Sequence, residues 1–372
     1  MSTIEYDVKG RKLRSRLNRY LVSGVALASL MLTIPVASMS NASASSTWTP
    51  GQGVPAPCIV AKNCRFGFIV ASAVPALVSQ GQGALIESTH LGVGFTEQSI
   101  GFDPSQQLSV MQSMISQGVN AILTSPLDTS SIETGIVAAQ AAGVPVVFYD
   151  GSAPNLTMNI ENADQASATA MVGVVAAQLK KTHKACNLGL VDGLAAIPAL
   201  GARDKGMAAG AVKYHCKVLS TQVDTADTST ASAGYAHQWK SQFGKKMTAI
   251  ISYNDNAEMG VYSATVTGSF KPLLASFNGE KANLQLLAAG KVFADYGLQN
   301  SVMGEAMALG AYDYLLGKTV PSDVRSPYVL LTKGNVKTYT SDSDILTLPV
   351  GKITFGPVVG GISTLSDSAF KP

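Results

Sequence analysis

The sequence predicts an α/β protein built from doubly wound parallel sheets, and three observations carry that prediction. A unit of amphipathic helix, glycine and short apolar run recurs along the chain, most plainly in residues 103–151. Apolar runs such as Val144 to Phe148 do not alternate with polar residues, which suits strands covered on both faces. Strands that alternate with helices must pair in parallel, because each crossover returns the chain to the same edge. At 372 residues the chain is long enough for two such lobes. Its 46% hydrophobic and 14% charged content excludes a disordered chain.

Taken in order, the first residues are set apart from the fold. Arg11, Lys12, Arg14, Arg16 and Arg19 precede the apolar stretch Leu21 to Ala37, and Ala42-Ser43-Ala44 follows. This order reads as a secretory signal peptide over residues 1–44, with a membrane anchor as the alternative. Those residues hold six Lys/Arg and two Asp/Glu, so without them the formal charge changes from +3 to −1. No basic surface then argues for nucleic acid. Residues 45–64, rich in Ser, Thr, Pro and Gly, read as an irregular leader.

Beyond Arg65 each element has a local reason. Asp103-Pro104 opens a helix, with Asp as the cap and Pro at the first position, and Gln106 completes a capping-box spacing. Leu108, Met111 and Ile115 recur at helical spacing, Met114 shares that core face, and Gly118 ends the turn. The strand at 119–124 follows. The unit repeats as helix 130–142 and strand 144–150, helix 164–181 and strand 187–193, then helix 201–214 and strand 217–224. Helix 230–243 precedes strand 247–254. Helices from Glu258 and Glu280 precede strands 271–279 and 292–298, and helix 303–316 closes the series.

Export implies an oxidising compartment, and the four cysteines fit it. Four cysteines allow three pairings. The expected one is Cys58–Cys64, closing a small loop, and Cys186–Cys216, each of which precedes an apolar run at the same sheet end. No histidine stands at metal-ligand spacing from either pair, so no metal is expected.

Ligands in open α/β sheets bind beyond the carboxyl ends of strands. The residues there are Ser125, Asp128, Tyr149, Asp150, Asp192, Asn254, Asp255, Asn278 and Gln299. Nearly all are small hydrogen-bonding groups. His90, His183, His215 and His237 are scattered, no G-x-S-x-G elbow occurs, and Gly81 begins an incomplete dinucleotide fingerprint. An enzyme, with or without a cofactor, is therefore the minor reading and a binding protein the major one.

The stretch 117–151 resembles the sugar-type periplasmic binding proteins of fold type I, the ribose-binding-like components of ABC transporters. So do "GARDKGM", "YNDNAEMG", "SFNGEKANLQLLAAGK" and "MGEAMALGAYDYLLGK". The resemblance runs over roughly Phe66 to Lys318. It implies two α/β lobes joined by three crossing segments, near Glu161, near Tyr296–Leu298 and within Pro321–Val336. The N-terminal lobe would then hold 65–161 plus 297–322, and the C-terminal lobe 162–296 plus 323–372.

The resemblance also implies a ligand site. Asp150 matches a strand-end carboxylate, Arg203 an arginine reaching from the second lobe, and Asn254 a hydrogen-bonding asparagine. Phe277 and Asn278 sit where the family has an aromatic or apolar residue followed by aspartate. Tyr149, Ser125, Gln299 and Leu77 complete the expected set. The sequence departs from the sugar pattern at Gly151, Asn278, Leu298 and the 72–81 loop, where Ala76 and Leu77 replace polar and stacking groups. The expected pocket is accordingly less polar than that of a sugar binder. The expected partners are a small solute and a membrane permease, with a monomer in the periplasm and no cofactor. A sensory binding protein of the same fold remains the alternative.

Overall fold

The computed structural model describes Trp48 and residues 52–346 and 351–368. The expected signal peptide lies outside the described residues. Helix α1 (Pro57–Ala61) begins within the stretch read as an irregular leader, and the Cys58–Cys64 disulfide ties it to β1 (Arg65–Val70). Chain order then runs α2 (Pro75–His90), β2 (Gly94–Ser99), α3 (Pro104–Ser116), β3 (Ala121–Thr124), α4 (Thr129–Ala141), β4 (Val146–Tyr149) and β5 (Met158–Glu161). The second half holds α5 (Asp164–Lys181), β6 (Asn187–Asp192), α6 (Pro198–Lys213), β7 (Lys217–Val223), α7 (Ser229–Gln242), β8 (Ala249–Ser252) and α8 (Asp255–Thr265). It continues through β9 (Leu273–Asn278), α9 (Lys281–Ala288), β10 (Ala294–Leu298) and α10 (Asn300–Leu315). Last come β11 (Asp323–Arg325), β12 (Tyr328–Thr332), α11 (Asp342–Ile345), β13 (Ile353–Phe355) and β14 (Ile362–Asp367).

These strands form two sheets. The first has the order β13-β14-β11-β5-β4-β3-β1-β2, all parallel except β13, and the second β12-β10-β9-β8-β6-β7, all parallel except β12. Each sheet carries its own apolar core, one around Val172, Trp239, Ile251 and Phe277, the other around Phe68, Leu123, Val147 and Met307. A third cluster holds Met111 and Met114 under α3 and α4, as their helical spacing predicts. The Cys186–Cys216 disulfide joins the starts of β6 and β7, the same sheet end, as expected.

The chain passes between the two sheets at Glu161 to Asp164, Leu298 to Asn300 and Arg325 to Tyr328, near the three crossings that the family resemblance implies. A fourth passage was not anticipated. Val336 and Tyr339 pack in the second core, whereas Ile345 packs in the first. The expected lobe boundaries are corrected accordingly. Residues 323–325, 353–355 and 362–367 belong to the first sheet, through β14 on β11 and β11 on β5, and not to the C-terminal lobe. Gly297 and Leu298 lie in the second sheet, not the first. A three-residue strand such as β11 is too short for an apolar run to announce it, and β14 alternates buried and exposed residues as an outer strand does.

Local chemistry sets the helix starts. Asp103 accepts from the Ser105 N–H at 2.9 Å, Asp128 from Ser131 at 2.8 Å and Asn254 from Ala257 at 2.8 Å. Helices α6, α8 and α10 each begin three residues before the sequence reading, because Pro198 takes the first position of α6 and Asn254 caps α8. Helices α2 and α10 cross at glycines: a Cβ on Gly83 would lie 2.0 Å from the Ser301 carbonyl, and one on Gly304 1.9 Å from that of Gln80. That close crossing seats α10 on the first lobe although it follows a strand of the second.

Candidate functional site

The carboxyl ends of β1, β3 and β4 face those of β6, β8 and β9 across a cavity of about 80 Å³. The first lobe supplies an apolar wall of Val74, Ala76, Leu77, Phe102 and Leu127. Ser125, Tyr149 and Asp150 interrupt it. The second lobe supplies Arg203, Asp227, Asn254 and Asn278, with Ile197 and Leu200 at the lip, and Asn300 comes from the second crossing.

Arg203, on α6, organises the polar wall. Its Nε donates to Asp164 Oδ1 at 2.6 Å, and its Nη1 donates to the Tyr253 carbonyl at 2.9 Å and to Asn278 Oδ1 at 3.1 Å. Its guanidinium lies 5.5 Å from the Phe277 ring centre. Burial works to lower the guanidinium pKa, but the Asp164 charge and hydrogen bond outweigh it, so the group is held more firmly protonated. Asp164 is the first residue of α5, so the first crossing delivers the arginine's counter-ion.

Asp150 follows β4 with φ 46°, a left-handed turn that takes it out of the strand. The Asn162 N–H donates to its Oδ1 at 2.6 Å and the Asn162 amide to its Oδ2 at 2.9 Å. Burial, then the nearby Asp164 charge, raises its pKa well above the carboxylate range, against the lowering effect of the Asn162 hydrogen bonds. Burial also raises the Tyr149 hydroxyl, with the Asp150 charge adding to it, while a hydrogen bond with Ser125 opposes the shift. The only ion-pair partner of Arg203 among the described residues is Asp164, so Arg203 and Asp150 do not pair with each other.

Asp227, which the sequence reading missed, accepts from the Tyr253 hydroxyl at 2.6 Å and from Asn254 Nδ2 at 2.8 Å. Asn254 thus caps α8 and lines the cavity at once. Asn278 holds φ 120°, a strained conformation for a side-chain-bearing residue, and presents its oxygen to Arg203. The structure therefore gathers seven expected residues at one cavity: Leu77, Ser125, Tyr149, Asp150, Arg203, Asn254 and Asn278.

Two expected residues lie elsewhere. Phe277 is fully buried in the second core, stacked 6.0 Å from Tyr296, because successive strand residues face opposite sides and its neighbour Asn278 takes the cavity side. Gln299 is fully buried before α10, and neither atom of its amide has a partner among the described residues. Its neighbour Asn300 lines the cavity instead. Of the other strand-end residues, Asp128 caps α4, and Asp255 is buried among Ser276, Asn283 and the Glu280 N–H. Asp192 is pushed up to about 6 by burial and lies off the cavity. All four histidines are exposed, and no grouping of His, Cys, Asp and Glu able to hold a metal occurs among the described residues.

Two parallel-sheet lobes, joined by crossings of the chain and meeting at a cavity that both of them line, define the class of two-lobed solute-binding proteins. Residues 81–319 match the model of the periplasmic binding protein domain, and the chain belongs to that family. It is 28% identical over 238 residues to the ribose import binding protein of Bacillus subtilis, covering 62% of this chain and 74% of the relative. It is 27% identical over 241 residues to the xylitol-binding protein of Mycolicibacterium smegmatis, covering 63% and 67%. A solute-binding protein of an ABC transporter from Burkholderia graminis, solved with D-arabinose, superimposes with a TM-score of 0.70 at 21% identity, over 76% of this chain and 99% of the other. That likeness shows the type I fold. The relatives so named are transport and binding proteins, in keeping with a binding protein and not an enzyme.

Proposed function

We propose that this chain captures a small, neutral, hydroxylated solute between its lobes outside the cytoplasm and delivers it to an ABC transporter permease. One observation carries the reading: Asp150 and Ser125 from one lobe and Arg203, Asn254, Asp227 and Asn278 from the other converge on a single cavity. Neutrality follows from charge. Asp164 already compensates Arg203, and the remaining charged groups at the cavity are carboxyls, so an anion finds no free cation there. The two walls differ, apolar on the first lobe and hydrogen-bonding on the second, which favours a solute with one hydrophobic face and one hydroxylated edge. This supports a sugar-type ligand in a pocket less polar than a sugar site, where buried hydroxyls all need partners. Ribose, xylitol and D-arabinose, the solutes of the related proteins, are the first candidates.

The test is a thermal-shift screen of purified protein against sugars, polyols, purines and aromatic acids. A ligand that binds only the native state raises the melting temperature with concentration. The expected result is a shift with sugars or polyols and none with aromatic acids. A shift confined to anions would reject the neutral-solute reading.

A further inference from the structure

We propose that the site continues past the inner cavity into an outer groove, and that its solute is a saccharide of two linked units or a glycoside. This rests on the solute-binding reading above. The inner cavity is about 80 Å³, whereas a cavity of about 150 Å³ is the scale that takes one benzene ring. With the lobes as they stand, it holds part of a sugar ring and not a second unit. Next to it lies an open groove of about 670 Å³ between the lobes. The two spaces adjoin, sharing Asp150 and Ala199 as lining residues, and in the proposal a solute seated in one reaches past them into the other.

The lining of the groove combines small and hydrogen-bonding residues. Its floor is made of small residues: Gly151, Ala163, Ala166, Ala199 and Ala202. Gly151 has no room for a side chain, since a Cβ there would lie 2.1 Å from Pro126 Cγ. Its lining also carries Ser152, Asn162, Gln165 and Thr169, groups that match hydroxyls, together with Lys213, whose ammonium lies over the Tyr214 ring. At the hinge end, the Arg325 Nη2 to Glu161 Oε1 contact of 2.7 Å closes the groove with a neutralised pair.

Asn162 adds an independent pointer to a ligand. It is 5% exposed, its Nδ2 donates to Asp150, and its Oδ1 is buried with no hydrogen-bond partner among the described residues. An unpaired buried acceptor costs about 1–3 kcal/mol. A solute hydroxyl that donates to it would remove that cost. The same side chain would then grip the second unit while holding the carboxylate that faces the first.

Calorimetric titration tests this with matched probes: D-glucose against maltose, trehalose and phenyl β-D-glucoside, and D-galactose against lactose and melibiose. The variant is Ala166→Trp, which fills the groove from an exposed position on α5 and leaves the core untouched. At least one linked sugar or glycoside should bind ten-fold or more tighter than its parent. Ala166→Trp should remove that advantage while parent affinity stays within two-fold and the melting temperature is unchanged. Parent sugars that bind as tightly as every linked form, or an advantage that survives Ala166→Trp, would overturn the extension and leave the solute-binding reading intact. Failure of every parent and linked sugar to bind would overturn the extension, and failure of ribose, xylitol and D-arabinose titrated alongside them would overturn the solute-binding reading as well.

Discussion

Arg203 joins three parts of the second lobe to the cavity through a single planar group. Arg203→Ala removes a charged donor from the ligand wall and leaves Asp164 buried without its partner. Breaking a buried pair in this way costs about 3–5 kcal/mol of stability. The expected outcome is lower stability in urea together with lost ligand binding. Arg203→Lys should recover part of the stability but not the binding, because an ammonium cannot reproduce the fork that meets Asp164, Tyr253 and Asn278 together. Unchanged urea midpoints in Arg203→Ala would refute the pairing. A second residue-scale prediction concerns Glu305, 4% exposed, whose carboxyl is pushed up to about 8 by burial, then by the charges of Asp367 and Glu87. A raised carboxyl binds its proton more tightly folded than unfolded. Its contribution is present below the ordinary value and is lost as pH rises towards about 8. Glu305→Gln should therefore gain on the native protein between about pH 5 and about pH 8 in urea unfolding, and a difference independent of pH would contradict it. At this scale the sequence was informative where a residue ends a strand. Asp150, Asn254 and Asn278 were legible for that reason. Phe277 and Asn278 could not both face the cavity, since strand neighbours point apart, and the sequence does not say which does. Asp227 was hidden because its place depends on a left-handed turn at φ 50° in a loop between β7 and α7.

Among the elements, α10 is held at both ends by distant chain. At its start, Asp342 accepts from the Asn300 N–H, the Asn300 amide, the Ser301 N–H and the Ser301 hydroxyl at 2.9–3.2 Å. At its end, the Ala56 N–H donates to the Leu315 carbonyl at 2.7 Å and Gly53 to Gly317 at 3.2 Å. A carboxylate at a helix start satisfies free N–H groups and suits the helix dipole. Asp342→Ala should destabilise the protein by about 1–2 kcal/mol, the usual scale for a lost cap, seen as a lower urea midpoint. An unchanged midpoint would mean that solvent replaces Asp342 without loss. This cap could not be read from sequence, because the capping residue stands 42 positions after the first residue of its helix. Caps from the adjoining residue, at Asp103, Asp128 and Asn254, are local events and were readable. Long central strands were readable for the same reason, whereas β11 and β13, three residues each, exist only because β14 and β5 are there to pair with them.

For the molecule as a whole, two sheets with separate cores and narrow crossings between them suit a hinge. A solute that touches both walls favours the closed arrangement only by the difference of its affinities for the two forms. Small-angle scattering should show a smaller radius of gyration with saturating ligand than without, and an equal radius would rule out closure in solution. Helix–strand alternation disclosed the parallel-sheet architecture, because every βαβ unit repeats the same local pattern, whereas the two lobes and their crossings came with the family resemblance. The last passage back to the first lobe did not show, since nothing in the 336–345 stretch marks which core it will join.

That last passage changes the parity of the chain path. With an even number of transits, the first and last described segments, Trp48 with α1 and the hairpin of β13 and β14, both attach to the same half of the molecule. A dye on either of these two segments therefore sits on the first lobe. A pair of dyes placed on both would stay silent while the other half swings, so an optical reporter of ligand capture needs one label on the α6–α8 side.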